Sequence, residues 1–219
     1  MTFSDAMWIF IILSMLQPFL ARKVLDLRRM QMIDRFQRRR GSRVILMVHR
    51  QETMRFLGFP LMRYIDIQDS EDVLRAIRMT DKDTPLDIVL HTPGGLVLAA
   101  LQIARAVEAH RGKVTVFVPH HAMSGGTLVA LAADEIVMCD HSVLGPIDPQ
   151  IGQYPAASIV KAVKAKPVAE IDDETLILAD VSRKALDQVR KAATEILSAQ
   201  MPADKAAEIA EVMAPGTGT

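Results

Sequence analysis

A single cysteine, Cys139, is all the thiol chemistry this chain has, so an intrachain disulfide and a cysteine-based metal cluster are both excluded. A reducing compartment suits such a chain. Aromatic residues are almost as scarce, 5% of 219 residues with one tryptophan, so the core must be built from aliphatic side chains within a hydrophobic fraction of 50%. Net charge is missing as well: 26 Lys and Arg balance 26 Asp and Glu, which argues against nucleic acid as a partner. Neither a Gly-x-Gly-x-x-Gly fingerprint nor a Gly-x-x-x-x-Gly-Lys phosphate loop occurs, so nothing points to hydride transfer or nucleotide hydrolysis. The reading therefore assigns no cofactor and no metal. Internal repeats and low-complexity tracts are also absent.

The charges that cancel overall are unevenly placed. Residues 1–43 hold nine Lys and Arg against Asp5, Asp26 and Asp34, a net of +6, which leaves −6 for the remainder. Residues 6–21 carry no charge and are mostly large and apolar, close to the ~20 residues that cross a bilayer. Trp8 suits an interface, and Gln17 and Pro18 lie near one end of the run. A cleavable secretory signal has cations before its apolar core, whereas here only Asp5 precedes it and the cations follow. The expectation is a transmembrane anchor over 1–21, with the amino terminus outside and the rest of the chain cytoplasmic. Over 22–42, Val24, Leu25, Leu27, Met30, Met32, Ile33 and Phe36 recur among arginines at roughly helical spacing. That predicts a basic amphipathic helix along anionic headgroups, or one packed on its own domain or a neighbouring subunit.

From residue 43 to 219, apolar strand-like runs alternate with helical stretches. Strands are expected over 44–49, 86–90, 114–118 and 136–138, and helices over 70–78 (capped by Asp69 or Ser70), 96–110, 180–200 and 203–213. The region with Gly152, Pro155 and Pro167 reads as loops, and Cys139 as a buried core residue. Such alternation implies an α/β fold with a mainly parallel sheet, whose ligand sites gather at the carboxyl ends of the strands.

Two glycine-bearing turns fall at those ends. His91-Thr92-Pro93-Gly94-Gly95 follows the 86–90 run, and Met123-Ser124-Gly125-Gly126-Thr127 follows the 114–118 run; each leads into a helix. Strand-to-helix turns present backbone N–H groups where the helix dipole favours negative charge. A hydroxyl nucleophile and preorganised donors for an oxyanion are the parts acyl transfer needs, and Ser124 with the Gly94-Gly95 amides fits those roles.

Those turns, with Ala132-Ala133-Asp134-Glu135-Ile136-Val137-Met138, Leu144-Gly145-Pro146-Ile147-Asp148-Pro149-Gln150-Ile151-Gly152 and the His49-Arg50-Gln51 segment, resemble the serine dehydrogenase proteinase family. Members are relatives of signal peptide peptidase A and, further off, of the Clp protease subunit and the crotonase superfamily. The resemblance implies a ClpP/crotonase-like spiral of ββα units and a serine endopeptidase acting through an acyl-enzyme on Ser124. It also implies an oxyanion hole from the Gly95 and Gly125 amides with Gly94 beside them, a peptide or protein substrate added as a strand, and a homo-oligomer. Other members continue beyond the point where this chain stops, so the reading includes a shortened carboxyl end.

The base for Ser124 stays open. The Clp-type histidine has no counterpart in 145–149, and His141 lies beside a strand end. The signal peptide peptidase branch uses a Ser-Lys dyad, which implies Lys184 as the first choice and Lys166 as the next, with Lys164 also downstream. His120 and His121 precede the serine turn; adjacent strand residues face opposite sides, so at most one of them reaches the site. Asp148 and Asp180 are the acids suited to orienting a base. A non-catalytic membrane scaffold or peptide-binding protein of the same fold is the alternative, and acyl-CoA chemistry a third reading.

Overall fold

In the computed structural model, residues 3–49, 55–56, 59–60 and 63–214 are described, those at 3–6, 9–14, 55–56 and 59–60 for their backbone only. The chain divides into two units, 1–44 and 45–219.

The first unit is a single helix, α1 (Phe3–Arg40), which runs through Pro18 and across residue 21 without a break. The transmembrane anchor expected over 1–21 is not found: among the described residues no helix is long and apolar enough to cross a membrane. The middle of the apolar run, 9–14, has its side chains outside the described set. Helix α1 also covers 22–40, most of the stretch over which the basic amphipathic helix is expected. In that stretch Val24, Leu25, Leu27, Met30 and Met32 are exposed, while Ile33 and Phe36 are half-buried. Near-neighbour pairs mark its surface, Arg38 with Asp34 at 2.6 Å and Lys23 over the Phe19 ring at 5.2 Å.

The second unit is mixed α/β around a four-stranded sheet in the order β1-β4-β5-β7. Its strands are β1 (Arg43–Val48), β4 (Leu86–His91), β5 (Val114–Val118) and β7 (Glu135–Met138), and β4, β5 and β7 pair in parallel. A central parallel strand is covered on both faces, so β4 and β5 read as near-continuous apolar runs; Ile88, Leu90, Val116 and Val118 are fully buried. Strand β7 has the same composition but lies at the sheet edge, and there Val137 and Met138 are exposed. Cys139 follows it and is also exposed, which overturns its expected place in the core.

Short strands make a second tier. Beside the outlying hairpin of β2 (Arg55–Phe56) and β3 (Phe59–Pro60), β6 (His121–Ala122) pairs in parallel with β8 (Val143–Leu144). Isolated parallel bridges join Thr92 to Ala122 and Ile65 to Gly95. Helices α2 (Ile67–Arg78), α3 (Val97–Glu108) and α4 (Gly125–Leu131) pack in succession, α3 against both others. The cap of α2 is Asp66, not Asp69 or Ser70: its carboxylate accepts the Asp69 N–H at 2.9 Å while Asp69 accepts the Asp66 N–H, a reciprocal box with an acid in the third position.

Beyond the hairpin β9 (Gln150–Ile151) and β10 (Tyr154–Pro155), the stretch read as loop contains α5 (Ala156–Lys164), whose Ala156, Ile159 and Val160 are buried. Helix α6 (Asp173–Ser198) starts seven residues earlier than its apolar pattern, because Asp172 caps it by accepting the Thr175 N–H at 2.8 Å. Helix α7 (Ala203–Met213) packs on α6.

Candidate active site

Ser124 stands between β6 and α4 with φ 50° and ψ −117°, and it is the one non-glycine residue with positive φ among the described residues. That conformation costs on the order of 1–3 kcal/mol and makes a strained strand-to-helix elbow. Two further tiers hold it there. Met123 N–H donates to Thr92 O at 3.0 Å, and the buried Thr127 hydroxyl reaches both Ala122 O at 3.0 Å and Gly145 O at 2.7 Å.

The Pro-Gly-Gly turn packs directly on this elbow. Gly94 has φ +104°, and a methyl group on it would sit 2.8 Å from both Ser124 Cβ and Met123 O. A methyl on Gly95 would stand 2.2 Å from Ile65 O, because the 65 and 95 backbones are paired through Ile65 N–H to Gly94 O at 2.7 Å and Leu96 N–H to Ile65 O at 2.8 Å. Gly125 approaches the same place, a methyl there being 3.8 Å from the Gly95 nitrogen. Neither the Gly95 nor the Gly125 N–H has an acceptor among the described residues. The sequence pattern thus brings two unspent amide donors together beside a strained serine, which is the arrangement that receives a developing oxyanion.

A network not anticipated from sequence holds the turn from behind. Buried His49 has Nδ1 2.9 Å from Thr92 Oγ1 and Nε2 3.3 Å from Asp69 Oδ2. With its ring proton on Nε2 facing the carboxylate, Nδ1 accepts the Thr92 hydroxyl, whose oxygen in turn accepts the Gly94 N–H at 3.2 Å. Thr92 is fully buried and so positions the turn without touching a ligand. The signal in the sequence was a histidine at the end of the first strand, in His49-Arg50-Gln51; Arg50 and Gln51 lie outside the described residues.

Ser124 and Gly95 line an open cleft of about 600 Å³ with apolar walls from Ile65, Pro93, Leu96, Val97 and Pro149. Asp66 and Asp148 are its two charged lining groups, and no lysine, arginine or histidine lines it among the described residues. Burial pushes the Asp148 carboxyl above the usual carboxylate range, against the opposing pull of the Ala157 N–H. The Ser124 hydroxyl itself has no hydrogen-bond partner among the described residues. Lys184 is exposed on α6 in an ion pair with Asp180 at 2.6 Å, which holds the Asp180 carboxyl below its usual range. Lys164 and Lys166 are exposed at the end of α5 and just beyond it. His120 and His121 form a ring cluster with His91, centroids 4.4 to 5.4 Å apart, and His141 is exposed beyond β7.

Comparison with known proteins gives a family match over the whole chain. The family model of ClpP-like SDH-type serine proteinases matches residues 1–219. Two uncharacterised proteins of Methanocaldococcus jannaschii are 50% and 48% identical over 212 residues, 97% of this chain and 72% and 74% of theirs. Among solved structures, an alanine variant of the 1510-N membrane-bound stomatin-specific protease aligns with TM-score 0.47 and 19% identity, over 66% of this chain and 64% of that one.

Proposed function

The chain belongs to the family of ClpP-like SDH-type serine proteinases, and from that premise we propose that it cleaves peptide bonds through an acyl-enzyme on Ser124. The observation that carries the reading is the strained Ser124 elbow facing the unspent Gly95 and Gly125 amides across the Gly94 contact. A peptide laid in the cleft puts its scissile carbonyl oxygen on the two N–H groups. Ser124 Oγ attacks the carbon, and its proton passes to the leaving amine by way of a base.

The lysine base is supported by resemblance to the signal peptide peptidase branch. Lys184 does not line the cleft of its own chain, so in this reading it comes to Ser124 by movement of α6 or from a second copy in a homo-oligomer. Mixing Ser124→Ala with Lys184→Ala chains tests the second route, since restored turnover requires a site shared between copies. Localisation at the cell membrane, with the catalytic unit on the cytoplasmic side, is supported by the uncharged residues 6–21 and the cations that follow them. Fractionation of cells that make the full chain tests it: recovery in the soluble fraction alone overturns it.

The decisive experiment is covalent labelling with a peptidyl phosphonate. Wild type is labelled and Ser124→Ala is not; equal labelling of both sinks the reading. A second reading, a peptide-binding scaffold of the same fold, is favoured by the Ser124 hydroxyl lacking a partner. It predicts peptide binding with neither labelling nor turnover.

A further inference from the structure

The acids of the cleft are not equivalent. Asp66 is already engaged: its carboxylate accepts the Asp69 N–H, and with Arg63 nearby it is held below the usual carboxylate range. Asp148 is not. Its Oδ1 is shut off from water and has no hydrogen-bond partner among the described residues, although the Ala157 N–H serves the same carboxyl. A buried oxygen of this kind is costly unless a proton or a donor reaches it.

The loop that carries Asp148 is held on both sides. Ile147 N–H donates to Met213 O at 2.7 Å, and Ala156 N–H donates to Pro149 O at 2.8 Å. Asp148 is therefore kept on the cleft wall, where rotation of its carboxyl can turn either oxygen towards the cleft. Around it Leu96, Val97 and Pro149 offer apolar surface, and no cation lines the cleft among the described residues. An aliphatic stem ending in a charge matches those walls and that acid, because such a side chain buries its methylenes and delivers its donors at the tip.

Resting on the peptidase reading above, we propose that this cleft selects peptides with a lysine or arginine side chain next to the scissile bond, Asp148 being the residue that determines the specificity. Binding supplies Oδ1 with the donor it lacks in the free chain, and a neutral side chain of equal length leaves it unpaired. Discrimination on the order of a hundredfold follows from losing one partner of a desolvated charge pair.

Two peptidyl phosphonates, identical except for lysine or norleucine at the residue bearing phosphorus, test this on the full chain. The lysine probe labels wild type about a hundred times faster, and the ratio falls towards one in Asp148→Asn. In parallel, fluorescence anisotropy with Ser124→Ala compares binding of the matching lysine and norleucine peptides without any chemistry. At least about tenfold tighter binding of the lysine peptide supports the proposal. Equal labelling of wild type by both probes, equal binding, or an unchanged ratio in Asp148→Asn overturns it. If neither probe labels wild type, the acyl-enzyme reading fails, and the binding ratio alone decides the selectivity.

Discussion

Substituting Gly95 by alanine tests whether the two turns form one device. The added methyl would lie 2.2 Å from Ile65 O, 2.3 Å from Ile65 N and 2.7 Å from Ile65 C, all backbone atoms. Non-bonded carbon contacts are comfortable at roughly 3.5–4.0 Å, so the paired backbones must separate by about 1 Å or more. The flanking bonds, now 2.7 Å and 2.8 Å, then stretch beyond hydrogen-bonding range. Two lost bonds at about 1 kcal/mol each, plus disturbance of the fully buried Ile65, put the loss of stability near 2–4 kcal/mol. The same shift moves the Gly95 N–H away from the oxyanion position, which costs about a hundred- to a thousandfold in labelling rate. Urea unfolding followed by circular dichroism reads the first quantity and phosphonate labelling the second. Gly152→Ala is the control: Gly152 has φ +63° but nothing within 4 Å of an added methyl, so only the left-handed backbone cost of about 1–2 kcal/mol applies and labelling is unchanged. A Gly95→Ala chain that unfolds at the wild-type midpoint and labels at the wild-type rate refutes the argument.

Other outcomes follow from the same contacts. Thr127→Val removes the hydroxyl within reach of the buried Ala122 and Gly145 carbonyls, of which Ala122 O keeps the Gly145 N–H, and lowers stability by about 1–3 kcal/mol in urea unfolding. His49→Ala removes the link between Asp69 and Thr92 and opens a buried space, costing about 2–4 kcal/mol; slower labelling that His49→Gln partly restores shows that the ring positions the Gly94 turn. Because burial raises the Asp148 pKa, its ionisation opposes folding: the contribution is present below the usual carboxylate range and lost as pH rises through the folded value. Asp148→Asn therefore raises the urea midpoint at neutral pH, and the gain disappears in acid. Asp172 has the opposite sign. Helix N–H groups lower its pKa, so its stabilisation is present above about 3.8 and lost as pH falls through the folded value, and Asp172→Ala flattens the acid limb of stability against pH.

What the sequence determined by itself was local. Runs such as 114–118 form strands wherever they are placed, and Gly94, with φ +104°, and the Ser124-Gly125 junction mark turns by their own backbone chemistry. The order of strand, turn and helix was legible for the same reason, as were helices α3 and α7. Tertiary structure decided whatever depends on neighbours distant in the chain. Cys139 and β7 have core composition but lie at an edge that no further strand covers among the described residues. Helix α5 hid behind Pro155 and Pro167, since its buried face is defined only by packing on α6. His49, Asp69 and Thr92 are up to 43 residues apart, and only the pairing of β1 with β4 and the placing of α2 beside them bring them within hydrogen-bond reach. Asp148 looked like one more loop acid. Its unmet oxygen exists because the 147–149 loop is held from two sides and turned away from water, a property of the folded wall and not of the residue.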